Sequence, residues 1–379
     1  MGVNHNTSDA QLDFLLEVLQ ASADSNGDAQ IVYPLLADNT DKINPRLAEL
    51  LRAWATTKLA EVKPDEAKNI AAVIVKFSNL IQQLSLGNQA SNSSIAITGY
   101  EIALTVYTRE AFPEQWARTQ NNLGSAYVHR ITGDKAQNLE DAIACFQLAL
   151  EVRTREAFPI EWAQTQNNLG SAYVNRITGD KAQNLEEAIA YFQSGLGVHS
   201  REAFPYQWAM TQNNLGFAYY ERIKGPKAQN LEEVIACYQE ALTVYTFDAF
   251  PIDWARIQYN IGIAYSERIK GQKPQNIEDA IACYQQALRV YSFEDFPENW
   301  ANTKYNIGIA YRERIKGDKA QNLKKAIACY QKVLKVYTFD AFPKYWLRVT
   351  LLIFVLSFTY ILLTIVSKIK NILGWTKSR

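Results

Sequence analysis

Four cysteines fall at one phase of this chain: Cys145, Cys237, Cys283 and Cys329, at steps of 92, 46 and 46 residues. A thiol can serve as a nucleophile beside a histidine base, as a metal ligand or as half of a disulfide. The nucleophile reading needs a base that repeats with it. His129 gives way to Glu221, Glu267 and Glu313 in the units that carry the later cysteines. Four cysteines and three histidines are also too few for a disulfide scaffold or a multi-ligand zinc site. The cysteines read instead as small buried hydrophobes beside the aromatic residue of each unit. Asp24-Ser25-Asn26-Gly27-Asp28-Ala29 opens like a calcium loop, but Ala29 replaces the sixth-position glycine and Leu35 stands where a bidentate Glu should close it. That stretch is expected to be a helix-to-helix turn. These types and spacings give no catalytic residue, no metal and no cofactor, so the chain reads as a non-enzyme.

The period behind the cysteines defines the elements. Trp116, Trp162, Trp208, Trp254, Trp300 and Trp346 step by 46 residues, as do the six prolines from Pro113 to Pro343 and the glycines from Gly124 to Gly308. Each unit reads as two helices. Pro113 suits a first helical turn, and Trp116, Leu123, Ala126, Tyr127 and Ile131 share one face. The helix is expected to stop near Gly133. Asn138 then reads as an N-cap, with Asp141 completing a capping box; Asn184/Glu187, Asn230/Glu233 and Asn276/Asp279 repeat it, and Asn322/Lys325 breaks it. Ala142, Ile143, Phe146, Ala149 and Leu150 form the second helix, ended by Phe158-Pro159. The expected domains are a helical N-terminal cap (1–62), a degenerate first unit (63–112), five full units (113–342) and a C-terminal segment (343–379). Hydrophobic residues at 48% exclude wholesale disorder, and 39 basic against 39 acidic residues leave no positive surplus for nucleic acid.

Leu123-Gly124 with Tyr127, and Ala142 with Phe146 and Ala149, resemble the tetratricopeptide (TPR) signature, drawn out from its usual 34 or so residues. The phrases TQNNLGSAY, GDKAQNLE and TREAFPEQW are similar to those of large bacterial, especially cyanobacterial, TPR proteins. Many of those continue into a CHAT-type peptidase domain, and no such domain is read here. The resemblance implies an all-α solenoid, a right-handed superhelix of helix pairs, and a role in recognition. The partner would be a protein or peptide held in the concave groove, with no small-molecule substrate. A regulatory subunit of a separately encoded peptidase or signalling effector is the alternative.

In that resemblance the Asn before each Leu-Gly or Ile-Gly pair faces the groove: Asn122, Asn168, Asn214, Asn260 and Asn306. Two uses stand side by side, a hydrogen bond to an extended peptide or an internal one to the neighbouring unit. Groove neighbours drift from polar to apolar. Phe217, Ile263 and Ile309 follow two serines, Tyr259 and Tyr305 follow three asparagines, and Glu221, Glu267 and Glu313 form an acidic rim. Arg130, Arg176, Arg222, Arg268 and Arg314 recur as well, and a structural ion pair is favoured over phosphate binding.

From Val349 to Val366 the chain runs 18 residues without a charge, thirteen of them Val, Ile, Leu or Phe. At 1.5 Å per residue that run is about 27 Å long, and its apolar content favours insertion by roughly 4–8 kcal/mol. A C-terminal transmembrane helix is therefore expected, with Tyr345, Trp346 and Trp375 at its interfaces. Residues 1–20 lack the pattern of a signal peptide, which places the solenoid in the cytoplasm. Lys368, Lys370, Lys377 and Arg379 beyond the run pull the other way, and Lys344 and Arg348 only partly offset them. A shallow hairpin or interfacial insertion is the alternative.

Overall fold

The computed structural model describes residues 6–372; Trp375, Lys377 and Arg379 lie outside the described residues. These fall into two compact units, one ending at His199 and one beginning at Ser200. Among the described residues there are sixteen α-helices and no strand. The first unit holds α1 (Asn6–Asp24), α2 (Ala29–Ala37), α3 (Pro45–Glu61), α4 (Pro64–Gln83), α5 (Gln89–Val106), α6 (Pro113–Val128), α7 (Lys135–Leu150), α8 (Pro159–Asn175) and α9 (Lys181–Leu196). The second holds α10 (Pro205–Glu221), α11 (Lys227–Ala241), α12 (Pro251–Glu267), α13 (Lys273–Ala287), α14 (Pro297–Glu313), α15 (Lys319–Val333) and α16 (Pro343–Ile372). The element order is a solenoid of consecutive helix pairs from α4 onward. Phe14, Leu15, Val18, Leu47 and Leu51 of α1 and α3 share one buried core with Ile74, Phe77, Ile81 and Tyr100 of α4 and α5.

Close approach of the two helices in a pair rests on a glycine. A Cβ at Gly124 would stand 2.8 Å from the Phe146 ring, and at Gly308 2.7 Å from the Tyr330 ring. Alanines at the crossing, such as Ala117, Ala142, Ala301 and Ala326, are fully buried. Each pair thus buries its aromatic residue against bare backbone, which explains the Gly-aromatic phase in the sequence.

The expected capping box is corrected. α7, α9 and α15 begin one turn earlier, capped by Asp134, Asp180 and Asp318, whose carboxylates accept from the N–H of Gln137, Gln183 and Gln321. Asn138 is buried inside the first turn and donates to the Thr132 carbonyl at 2.9 Å. Asn276 and Asn322 do the same for Lys270 and Lys316, both at 2.9 Å. A carbonyl in the tight loop after the first helix has no helical partner, and the Asn amide supplies one. The loop turns on a glycine in the left-handed region, Gly133 at φ 80°.

The recurring arginines close onto the preceding pair. Arg176 grips Glu140, Arg268 grips Glu232 and Arg314 grips Glu278, each through Nε and Nη2 at 2.7–2.8 Å. Each pair is about three-quarters buried, and each Arg also lies over the tyrosine three residues before it. Arg130 has Ser94 at the corresponding place and donates to Thr132 instead, at 3.4 Å. The Arg268 and Arg314 guanidiniums hold the Glu232 and Glu278 carboxyls below the ordinary carboxylate range. A folded pKa below the unfolded value, about 4.3, means stability that is present above that value and fades as pH falls through the folded pKa. Glu278→Gln is therefore expected to melt below the native chain at pH 7, with the gap closing toward pH 3. A gap independent of pH across a series of thermal melts would refute the pairing as its source.

α16 begins as an ordinary first helix. Pro343 lies 46 residues after Pro297, Tyr345 stacks on Tyr337 at 4.5 Å and on Tyr305 at 5.8 Å, and Val349 and Leu356 are buried against α15 and its neighbours. The packing of a first helix thus extends to Leu356, into the charge-free run that begins at Val349. Beyond it α16 runs on where each earlier first helix stops. Over Pro343–Lys370 it is long and apolar enough to cross a membrane, and only 11% of its most apolar stretch is buried.

Candidate functional site

The cysteines are settled by their surroundings. Cys145 and Cys237 are buried, Cys283 and Cys329 half-buried, and all four are free thiols. Burial pushes the Cys145, Cys237 and Cys283 thiols up to about 12, so neutral pH leaves them protonated and poor as nucleophiles. Asp24–Ile31 is a turn into α2, with Asp28 as its N-cap.

The groove residues sit on the first helix of each pair, one face per helix. In the first unit the Asn122 amide donates to Asn79 Oδ1 at 3.0 Å and the Asn168 amide to Asn121 Oδ1 at 3.1 Å. In the second unit Asn306 donates to the Tyr259 hydroxyl at 3.0 Å, Asn214 accepts from the Asn213 amide at 3.3 Å, and Asn260 lies near the Tyr238 hydroxyl. Of the two uses open to these residues, the structure displays the internal one. Asn122, Asn168 and Asn306 bind each pair to the one before it.

Apolar character on this face is graded. Phe217 is 44% exposed, whereas Tyr259, Ile263, Tyr305 and Ile309 are half-buried. Tyr259 leans on Tyr284 at 5.9 Å and Tyr305 on Tyr330 at 5.5 Å. Each therefore shows part of its surface while the remainder supports the second helix.

Two of the three rim glutamates are paired with cations. Glu267 accepts from the Tyr220 hydroxyl at 2.9 Å and pairs with Lys227 at 2.7 Å. Glu313 lies 3.4 Å from Arg312 and 3.9 Å from Lys273. Glu221 is exposed.

The same face continues onto α16, which the sequence reading did not include. Tyr305, Ile309 and Arg312 of α14 face Lys344, Arg348 and Leu351 of α16 across an open cleft of ≈ 510 Å³. Leu351 stands 46 residues after Tyr305, so phase was the signal that could have found it. Lys344 and Arg348 stand beside this apolar floor, while Arg312 lies 3.4 Å from Glu313.

A tetratricopeptide-repeat family model matches residues 208–242, and a Sel1-repeat model matches 117–151, 163–195, 255–289 and 303–332. Among solved structures, a signal transduction ATPase of the STAND class with a tetratricopeptide repeat sensor, from Pyrococcus horikoshii, aligns over 95% of this chain and 53% of its own, at 14% identity and a TM-score of 0.53. The C-terminal part of a TPR repeat-containing protein from Cytophaga hutchinsonii aligns over 77% of this chain and 94% of its own, at 14% identity and a TM-score of 0.42. At such identity the first likeness speaks to fold alone. No curated protein matches the sequence. The chain carries tetratricopeptide and Sel1-type repeats, drawn out to 46 residues.

Proposed function

We propose that the chain is a scaffold that holds a protein or peptide partner on the first-helix face of its second unit and is fixed to a membrane by α16. The observation that carries the binding half is the open, apolar-floored cleft between α14 and α16, reached along a face that also exposes Phe217 and Tyr220. Its residues also pack on the core through their buried sides, and the apolar surface they leave open suits an interaction site. The partner segment would set apolar side chains over Tyr305, Ile309 and Leu351, and acidic ones by Lys344 and Arg348.

The membrane half is supported by the exposed run of α16, with Phe354, Phe358, Ile361 and Ile365 all open to solvent. Three loops of the same unit support it too. Ile223, Ile269 and Ile315 are each more than 60% exposed beside Lys224, Lys270 and Lys316, at the end of the first helices past which α16 extends. Apolar tips with lysines suit an anionic lipid surface. The first eight residues of the 349–366 run, about 12 Å of helix, pack against α15. A complete crossing of a core about 30 Å thick therefore requires α16 to swing off α15, whereas the docked helix inserts only its far end.

The binding half is tested with Phe217→Ala combined with Ile309→Ala in the full chain. A partner recovered by affinity capture from membranes is expected to bind this variant at least about tenfold more weakly, a loss of some 1.4 kcal/mol, at unchanged helicity. Equal binding would remove this face from the scaffold reading.

A further inference from the structure

The first unit contains a charged cavity that the repeat does not require. It measures ≈ 180 Å³ and lies among α6, the end of α7 and the start of α8, lined by Glu114, Arg118, Val152, Arg153, Phe158 and Glu161 among others. Its volume equals that of about six waters at roughly 30 Å³ each.

Arg153 is the anomaly. It is only 6% exposed. The corresponding residue is Tyr107, Tyr245, Tyr291 or Tyr337 in four units and His199 in another, so the fold itself accepts an aromatic ring there. Its side chain donates to the Thr165 hydroxyl at 3.0 Å. Among the described residues, no carboxylate lies within ion-pair distance of it. Most of its surface has left water and its one hydrogen-bond partner is neutral, which is costly for a full charge. Burial also lowers its pKa, opposed by Glu161.

Glu161 and Arg153 thus line one cavity without touching. Glu114 and Arg118, one turn apart on α6, line it too and are likewise unpaired with each other among the described residues. The lining therefore carries two cations and two anions, Arg153 buried and Glu114, Arg118 and Glu161 exposed, around an open pocket suited to a few heavy atoms. A simple anion would satisfy the arginines and leave two carboxylates facing it. A molecule with both charges answers all four groups.

We propose that this cavity binds a small zwitterion of the α-amino acid class, its carboxylate on Arg153 and Arg118 and its ammonium on Glu161 and Glu114. A guanidinium can hold a carboxylate bidentately, and Arg153 is the buried one of the two. The small apolar remainder, Val152 and Phe158 among it, sets a limit on side-chain size. Glycine, alanine and serine are the probes that fit.

The test uses the purified full-length chain in lipid nanodiscs, with calorimetric titration and thermal melts. Glycine, alanine and serine are titrated beside acetate and methylammonium, which each carry half of the charge pattern. At least one amino acid is expected to bind about tenfold or more tighter than either half, since each half lacks one charge-assisted pairing. Arg153→Tyr installs the residue of the other units, so folding is retained and the thermal midpoint should rise. Binding should fall by at least about tenfold. Glu161→Gln, which keeps Arg153 in place, should weaken the amino acids and leave acetate unchanged. Two results overturn the proposal: no amino acid binds better than acetate, or Arg153→Tyr binds as the native chain does. Acetate and the amino acids binding equally would make this a plain carboxylate site and refute the zwitterion.

Discussion

A chain cut after Tyr360 is expected to leave the membrane pellet for the soluble fraction and to melt as the full-length protein does. A chain cut before Val349 should also leave the membrane but melt far lower. The difference follows from the two roles of α16. Val349 and Leu356 are buried, and Leu352 and Ile353 are partly so, against a cluster containing Leu323, Tyr330, Val333 and Tyr337. Burying such side chains is worth roughly 1.5–3 kcal/mol each at full burial, so the shorter chain loses on the order of 5 kcal/mol from the end of its array. The large apolar side chains beyond Tyr360 make no such contribution. Leu362, Ile365, Val366 and Ile369 are exposed, and their removal costs the folded state little. Carbonate washing of membranes followed by thermal melts of the soluble forms measures both claims. Retention of the chain cut after Tyr360 in carbonate-washed membranes would remove the far end of α16 as the anchor. Equal melting of the two truncations would remove it as the closing helix of the array.

Legibility followed the range of each interaction. The starts of the first helices were plain because Pro at the first turn acts locally, and every full unit opens on its proline; their ends were not, since α6 stops at Val128, short of Ile131, which is exposed, and of the expected Gly133. The cap was misassigned because Asp134 and Asn138 are both good N-caps one turn apart. What separates them is the Thr132 carbonyl, which needs the Asn amide from six residues away. The groove was harder. That Asn306 is engaged with Tyr259 depends on a contact 47 residues back, and the pairing of Glu267 with Lys227 spans 40. Neither offset equals the repeat, so phase alone does not display them. The ion pairs at an offset of 36, as between Arg314 and Glu278, are equally hidden. Arg153 is a different case. Its departure from the tyrosines at the same phase stands in the sequence, but only burial turns that departure into a site.

Gly262→Ala is expected to destabilise the second unit by about 1–3 kcal/mol, the usual cost of an overpacked core. In an exposed helix the same change is favourable by roughly 0.5–1 kcal/mol, because glycine loses more backbone freedom on folding. Space decides the sign here. A Cβ on Gly262 would stand 2.6 and 2.7 Å from two ring carbons of Tyr284 and 3.0 Å from a third. Tyr284 cannot turn aside: it is 1% exposed and its ring lies against Tyr259. Relief requires α12 and α13 to separate, which loosens the helix pair throughout and, in a stacked array, its neighbours as well. The sharper form is a double-mutant cycle. Tyr284→Ala alone removes a buried aromatic at about 3–5 kcal/mol, and in that background Gly262→Ala meets no ring. The second substitution should then recover a few tenths of a kcal/mol to about 1 kcal/mol, reversing its sign. Urea titrations of the four chains give the coupling directly. A Gly262→Ala that is neutral or stabilising with Tyr284 in place would mean that the packing of glycine against the aromatic ring does not hold these helices at their spacing.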